Sequence, residues 1–279
     1  MQCRCALPEL LLITVAAHAQ DTVHVSVSEG VLSVSAHFSA APPTLSGRLV
    51  AGAPYSAEET GTTVQTLADG AHITQVSTGK LYRDSAGRTR SERPLPGAAW
   101  AGGQSTLGAP ILAMITDPVA NAIYTLDTVG KVAHKQTIGA PEAQTPARRA
   151  PAAERAAACP VLNDCAREGP KIMVERLGSQ SVEGLPAKGE RRTTVIPAGF
   201  EGNDRPVTVV GENWVSPDLK VSVLAKKNDP RFGESTRKLA NIDRREPDPS
   251  LFLPPADYKI VEEKGDFTIK WSSISGVFQ

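Results

Sequence analysis

The sequence predicts a mainly β protein, an antiparallel meander with few short helices. Three observations favour this class. Many short segments alternate apolar and polar residues, which is the period of a half-buried strand. Tight-turn residues separate those segments, and no amphipathic helix of ordinary length interrupts them. The chain also contains 23 Gly and 22 Pro residues, a composition that favours many turns over long helices.

The first half of the predicted β domain covers residues 46–138. Residues 62–67 are rich in Thr and Val, and Asp69-Gly70 is typical of a hairpin turn into residues 72–77. The strands that follow are predicted at residues 80–84, 88–93, 111–116, 122–126 and 131–138.

A change of composition separates the two halves. Residues 139–170 consist largely of Ala, Pro, Arg and Glu, with almost no large apolar side chain. Such a segment buries too little surface to offset its conformational entropy, so we expect a long flexible mid-chain loop. An interdomain linker is the alternative that the sequence leaves open.

The second half of the predicted β domain covers residues 171–279. Its strands are predicted at residues 171–180, 187–197, 206–215, 220–227 and 233–245. A last strand carries Phe267, Ile269 and Trp271 on one face, because alternate side chains of a strand point the same way.

The N-terminus has the layout of a secretory signal peptide. Arg4 precedes a short apolar stretch, and the small residues Ala17 and Ala19 stand before Gln20. This pattern predicts a signal peptide over residues 1–19, cleavage before Gln20, and a periplasmic or secreted protein. Residues 20–45 are expected to be poorly structured. An apolar N-terminal helix or strand that stays in the folded protein is the alternative.

Charge and hydropathy exclude some partners. The 30 Lys and Arg residues balance the 30 Asp and Glu residues, so no overall field favours nucleic acid. No later stretch is long and apolar enough to predict a stable membrane span after signal removal.

The cysteines and histidines predict little chemistry. Cys159 and Cys165 would form a disulfide in an oxidising compartment, with free thiols as the alternative. No histidine has a partner at ligand spacing, and no catalytic sequence motif is present. We therefore predict no metal site, no cofactor and no catalytic residues.

Two resemblances add to this reading. Residues 194–199, 202–206, 214–219, 246–252 and 255–258 resemble uncharacterised secreted proteins of acidobacterial type, a group that implies no activity. The order of strands, with a Ser-Pro-Asp turn and a Phe-x-x-Pro-x-x-Tyr closing segment, is similar to periplasmic lipoprotein-carrier and sensor proteins (LolA-, LppX- and RseB-like). That resemblance implies a strongly curved antiparallel sheet, an incomplete β-barrel whose concave face holds acyl chains.

On such a sheet, aromatic side chains would line the inner face. The predicted ligand-binding residues are Tyr124, Trp214, Phe252, Tyr258 and Trp271. Filling of an ordinary core is the alternative role of each. The first functional hypothesis is therefore an exported, non-catalytic envelope protein that binds a lipophilic ligand or a lipoprotein. A protein-interaction or sensor module in envelope signalling comes second, and a hydrolase with an unrecognised site third.

Overall fold

The computed structural model describes residues 13–18, 21–28, 31–38, 50–94, 111–138 and 169–272. Strands dominate these residues, and the single helical segment among them is the short 3-10 helix η1, Pro249–Phe252. All strand pairs but one are antiparallel in this part of the chain. The predicted mainly antiparallel β fold is therefore confirmed.

The chain divides into two compact units, and each unit combines segments that are distant in sequence. The first unit contains Met1–Leu49, Ala86–Gly139 and Pro247–Gln279. The second unit contains Val50–Ser85 and Ala140–Glu246. Strands from both predicted halves of the β domain thus contribute to each unit.

The second unit is a seven-stranded sheet in the order β10-β11-β12-β13-β14-β4-β5. Its strands are β4 (Tyr55–Thr66), β5 (His72–Arg83), β10 (Lys171–Val182), β11 (Leu185–Ile196), β12 (Val207–Ser216), β13 (Val221–Asp229) and β14 (Gly233–Asp243).

Tight turns set the register of this sheet. The hairpin predicted around Asp69-Gly70 joins β4 to β5, and Asp69 Oδ1 accepts a hydrogen bond from the Ala71 amide at 3.0 Å. Between β10 and β11, Glu183 and Gly184 both have positive φ, at 50° and 76°. Two consecutive positive φ values define the two-residue turn that matches the twist of a hairpin.

Register shifts interrupt the ladders of the second unit at three places, between Arg176 and Gly178, Trp214 and Val215, and Ala240 and Asp243. Such bulges bend a strand and increase its local twist. The three bulges therefore curve this sheet locally. The sheet is open at β10, because β10 pairs only with β11 among the described residues. The prediction of a curved, open sheet is thus confirmed for this unit.

The core of the second unit lies over one part of its sheet. Tyr55, Ala57, Val223 and Leu239 are buried on the central strands, and Trp214 covers Gly189 of the neighbouring strand. Strand alternation places Trp214 on the buried face: Trp214 and Ser216 are buried, whereas Val215 between them is not.

The buried arginine Arg83 contacts the same core. Arg83 Nε donates to the Ala53 carbonyl at 2.9 Å, and Arg83 Nη2 donates to the Leu219 carbonyl. Its guanidinium lies 4.8 Å from the centre of the Tyr55 ring. Burial raises the pKa of the Tyr55 hydroxyl, and the Arg83 charge partly opposes that rise.

The first unit contains two groups of strands. One runs in the order β6-β7-β8-β9-β15, formed by β6 (Thr89–Pro94), β7 (Ile111–Asp117), β8 (Ala122–Asp127), β9 (Val132–Thr137) and β15 (Lys259–Glu262). The other runs in the order β1-β2-β3-β16, formed by β1 (Ile13–His18), β2 (Asp21–Ser28), β3 (Val31–Phe38) and β16 (Phe267–Ser272).

Aromatic stacking and polar contacts hold the first unit together. The Phe267 ring stacks between Phe38, at 4.8 Å, and His134, at 4.7 Å. His134 Nδ1 lies 2.7 Å from Glu263 Oε1, and β15 pairs in parallel with β9 beside it.

The N-terminal region differs from the expectation of a poorly structured segment. Residues 21–28 and 31–38 are strands β2 and β3, which pair with each other along their whole length. Val23, Val25 and Val27 occupy alternate positions of β2, and β3 pairs with β16 on its other side. The predicted mid-chain loop, residues 139–170, lies outside the described residues except for its last two.

Candidate functional site

One face of the second unit carries three rows of paired residues across β13, β14, β4 and β5. Directly paired residues on neighbouring strands point to the same side of a sheet, and so do residues two apart on one strand. The first row contains Leu239 and Glu59, and Val223 lies next to it, two residues from Ala225 on β13; the second is Ala225, Arg237, Gly61 and Ser77; the third is Lys227, Ser235 and Thr63.

The core covers the first row but not the next two. Along β4, Tyr55, Ala57 and Glu59 are buried, whereas Gly61 and Thr63 on the same face are only partly buried. We call the uncovered part the open face: it consists of Gly61, Thr63, Ser77, Ala225, Lys227, Ser235 and Arg237. A depression of about 330 Å³ lies there.

The floor of the depression is made of small side chains. A Cβ atom added to Gly61 would lie 2.5 Å from Ser77 Oγ. The absence of a side chain at Gly61 therefore leaves space at the centre of the face. Ala225 and Ser235 continue this low surface on the two neighbouring strands. A ligand on the open face could therefore approach the backbone closely.

The charged residues that line the depression are all cationic: Lys226, Lys227 and Arg237. Lys227 and Arg237 belong to the open face by register, whereas Lys226 alternates to the other side. Lys227 Nζ lies 3.2 Å from Asp229 Oδ2, and Arg237 Nε lies 3.5 Å from Glu59 Oε1. Both cations keep more than half of their side chain exposed, which leaves them able to contact a ligand.

A buried carboxylate orders the end of β13 next to this site. Asp229 is almost fully buried, and its two oxygens accept hydrogen bonds from Arg231 Nε at 2.9 Å and Nη2 at 3.0 Å. The Arg231 guanidinium, with further hydrogen bonds from the Arg231 amide and Lys227, holds the pKa of the Asp229 carboxyl well below its usual range. Asp229 is therefore ionised at neutral pH and holds Lys227 near the rim.

The five predicted ligand-binding residues do not come together in one unit. Trp214 belongs to the second unit, where its ring packs in the core over Gly189. The other four belong to the first unit: Tyr124, Phe252, Tyr258 and Trp271. Their role in ligand binding stays a prediction.

Two of those four residues have defined packing roles. Phe252 is fully buried, and the Arg88 guanidinium lies 5.2 Å from its ring centre. Trp271 is buried and its Nε1 donates to Asp127 Oδ1 at 2.9 Å. Tyr124 and Tyr258 are half-buried, and burial raises the pKa of the Tyr258 hydroxyl.

The export and disulfide predictions fall largely outside the described residues. Ala17 lies in strand β1, whereas Ala19 and Gln20 lie outside those ranges, as do Cys159 and Cys165. These predictions therefore stay predictions.

Sequence reasoning missed the open face. Gly61 and Ala225 carry no chemical signal by themselves, and the two strands that hold them are far apart in the chain. The adjacent lysines Lys226 and Lys227 at the end of a predicted strand are the one local feature that could have pointed here.

The described ranges contain neither a metal-binding cluster nor a membrane-spanning helix. No three His, Cys, Asp or Glu side chains there come close enough together to hold a metal ion. No helix in that part of the chain has the length and apolar character needed to cross a membrane.

No protein-family model matches the chain, and no curated protein matches it significantly. Solved structures do match over most of the chain. One is a LolA superfamily protein from Nitrosomonas europaea, with 7% identity over 72% of this chain and 90% of that chain, and a TM-score of 0.31. Another is the Mycobacterium tuberculosis lipoprotein LppX, with 11% identity over 71% and 89% and a TM-score of 0.26.

A third match is a putative outer membrane lipoprotein-sorting protein domain from Vibrio parahaemolyticus, with 7% identity over 71% and 89% and a TM-score of 0.23. The solved structures correspond to the predicted resemblance to lipoprotein carriers, whereas no match supports the resemblance to acidobacterial proteins. Since every one of these TM-scores is below 0.5, the function proposed below rests on the chain's own residues.

Proposed function

We propose that the chain is an exported, non-catalytic envelope protein that binds an amphiphile with an anionic head group on the open face. The observation that carries this proposal is the combination of a low, uncharged floor with a cationic rim on the same face of one sheet. The floor offers apolar contact through Gly61 and Ala225, and the rim offers Lys227 and Arg237.

The floor suits the apolar part of a ligand. It continues directly from the core, because Val223 lies two residues from Ala225, and Leu239 two residues from Arg237, on the same face of their strands. Covering such a surface removes apolar area from water, which contributes about 25 cal/mol for each Å² buried. The depression is also within the usual size range of small-molecule sites.

The rim suits a carboxylate or phosphate. Arg237 can donate two parallel hydrogen bonds to such a group, and Lys227 adds a flexible second charge. No carboxylate lines the depression to repel the anion. The nearest acids, Glu59 and Asp229, already face Arg237 and Arg231.

The direct test is titration of the purified chain with a dansyl-labelled fatty acid, followed by fluorescence. We expect saturable binding that unlabelled fatty acid displaces. Ser235→Phe fills the depression and should weaken binding at least about tenfold, equivalent to about 1.4 kcal/mol. Thr78→Phe is the control, because Thr78 follows Ser77 on β5, points to the opposite face and does not line the depression.

A second pair of variants tests the head-group contact. Lys227→Gln should weaken binding of the labelled fatty acid, whereas Lys80→Gln removes the same charge from an exposed position on the opposite face of β5, away from the depression, and should not. Equal effects of the two variants would mean that only overall charge matters. Binding that Ser235→Phe leaves intact would refute the open face as the site.

Export is tested separately. We propose that the signal peptide is removed before Gln20, a cleavage that would also remove strand β1. N-terminal sequencing of the chain recovered from a bacterial envelope fraction should begin at Gln20. An intact N-terminus, or recovery only from the cytoplasm, would contradict this part of the proposal.

A further inference from the structure

Strand β10 has an exposed apolar edge. Three consecutive residues, Ile172, Met173 and Val174, are 49%, 63% and 57% exposed. Side chains alternate between the two faces of a strand, so both faces of β10 are uncovered here. Among the residues that the structure describes, β10 has a pairing partner on one side only, β11. An exposed apolar edge strand is a template for pairing with another strand.

The sequence around Met173 is complementary to itself. In an antiparallel pair of identical strands, a two-fold axis normal to the sheet passes through a pair of identical residues. An axis at Met173 places Met173 opposite its copy, Ile172 opposite Val174, and Lys171 opposite Glu175. Apolar residues then face apolar residues, and each exposed lysine faces an exposed glutamate.

Neighbouring registers lack this match. An axis at Val174 places Met173 opposite Glu175 and Ile172 opposite Arg176, and an axis at Glu175 places two glutamates opposite each other. The part of β10 that can pair in this way is limited at both ends. Pro170 has no amide proton to donate, and the bulge between Arg176 and Gly178 interrupts the strand. The five residues from Lys171 to Glu175 are thus the part of this edge that can form a regular ladder.

We propose that two copies of this chain associate through β10, as an antiparallel pair centred on Met173. The pairing extends the sheet of the second unit across the two-fold axis and covers the apolar edge. Because the shared ladder is short, we expect reversible association in the micromolar range.

The first test is sedimentation velocity of the full-length chain over a range of concentrations. We expect a monomer–dimer equilibrium. Lys171→Glu and Glu175→Lys should each weaken the dimer at least tenfold, because each places like charges opposite each other. Lys188→Glu, a charge reversal at an exposed position of β11, is the matched control and should leave the equilibrium unchanged.

Mixing the two reversed variants makes the test specific. In a mixed dimer, the glutamate at position 171 of one chain faces the lysine at position 175 of the other, and Glu175 of the first chain faces Lys171 of the second, so an equimolar mixture should dimerise where each variant alone does not. A mixture that stays monomeric would overturn the proposal, and so would a wild-type chain that is monomeric at every concentration.

Cross-linking tests the register itself. In a background with the four native cysteines replaced by serine, Met173→Cys places two cysteines directly opposite each other, within disulfide distance. Mild oxidation should therefore give a covalent dimer. Ile172→Cys is the control, because its copy faces Val174. Equal cross-linking of both variants, or none at position 173, would contradict the Met173 axis.

Discussion

Gly189 is a position where one methyl group should destabilise the protein through overpacking. A Cβ atom built on Gly189 would lie 2.6 Å from Trp214 Cζ3 and 2.7 Å from two further atoms of the same ring. Real Cβ atoms do not approach ring carbons so closely, and Trp214 is itself held in the core by its neighbours. Gly189→Ala must therefore displace the indole ring or separate β11 from β12.

The expected cost follows from measured overpacking in protein cores. Added methylene groups in a close-packed interior destabilise by about 1–3 kcal/mol, and we expect Gly189→Ala to lower the free energy of unfolding by this amount. The matched control is Gly211→Ala on the neighbouring strand β12, where the nearest atom, the Lys226 carbonyl oxygen, is 3.9 Å away. Neither glycine has a positive φ, so alanine strains neither backbone. The control should be neutral or stabilise by about 0.4–1 kcal/mol, because alanine restricts the unfolded chain.

The assay is urea-induced unfolding, followed by tryptophan fluorescence and by far-ultraviolet circular dichroism. A Trp214→Leu background provides the decisive comparison, because there the added methyl meets a smaller side chain. The cost of Gly189→Ala should fall toward that of the control in this background, which a double-mutant cycle measures as a coupling energy. The reasoning is refuted if Gly189→Ala is as stable as Gly211→Ala, or if the leucine background leaves its cost unchanged.

Three further predictions concern polar side chains that hold the chain through hydrogen bonds. Arg83→Met removes the donor to two carbonyls, those of Ala53 and Leu219, and should lower the free energy of unfolding by about 1–3 kcal/mol for each. Arg83→Lys should not restore the lost stability, because lysine lacks the planar fork of donors. Thermal unfolding of the wild type and the two variants checks this prediction. Asp229 has a depressed pKa in the folded protein, so its contribution to stability is present above the unfolded pKa of about 3.9 and is lost as the pH falls through the lower folded value. The stability difference between wild type and Asp229→Asn, measured by urea unfolding from pH 7 to pH 2, should therefore shrink in acid; a constant difference would contradict this. Asp127→Ala should lower the free energy of unfolding by about 1–3 kcal/mol, because Asp127 accepts hydrogen bonds from Val129, Gly130 and Trp271. Asp69→Ala is the control: it loses a single exposed hydrogen bond, from the Ala71 amide, and should lower the free energy of unfolding by less than about 0.5 kcal/mol in the same urea experiment.

Local signals in the sequence were sufficient to predict most strands. The hairpin at Asp69-Gly70 and the strand that ends at the Ser216-Pro217-Asp218 turn appear where they were expected. Strand periodicity and turn chemistry act over a few residues, so they are readable without knowing the fold. Strands β2 and β3 were not predicted, because residues 20–45 directly follow the signal-peptide pattern and were expected to be poorly structured.

The aromatic residues show the limit of this approach. Trp214 was predicted on an inner face, and it does point inward, but onto Gly189 and into the core. A strand pattern indicates that a large aromatic residue is buried on one side. It does not indicate whether the space beside it is filled by protein, because that depends on which strands become its neighbours.

The sequence by itself determined that this protein is mainly β and where most of its strands and turns lie. Only the tertiary structure decided that β14 pairs with β4, which brings Ala225, Arg237 and Gly61 into one row and leaves β10 at an edge. The physical reason is that strand pairing joins residues far apart in the chain. The period of two specifies a strand's inner face, whereas its neighbour and register follow from packing of the whole sheet.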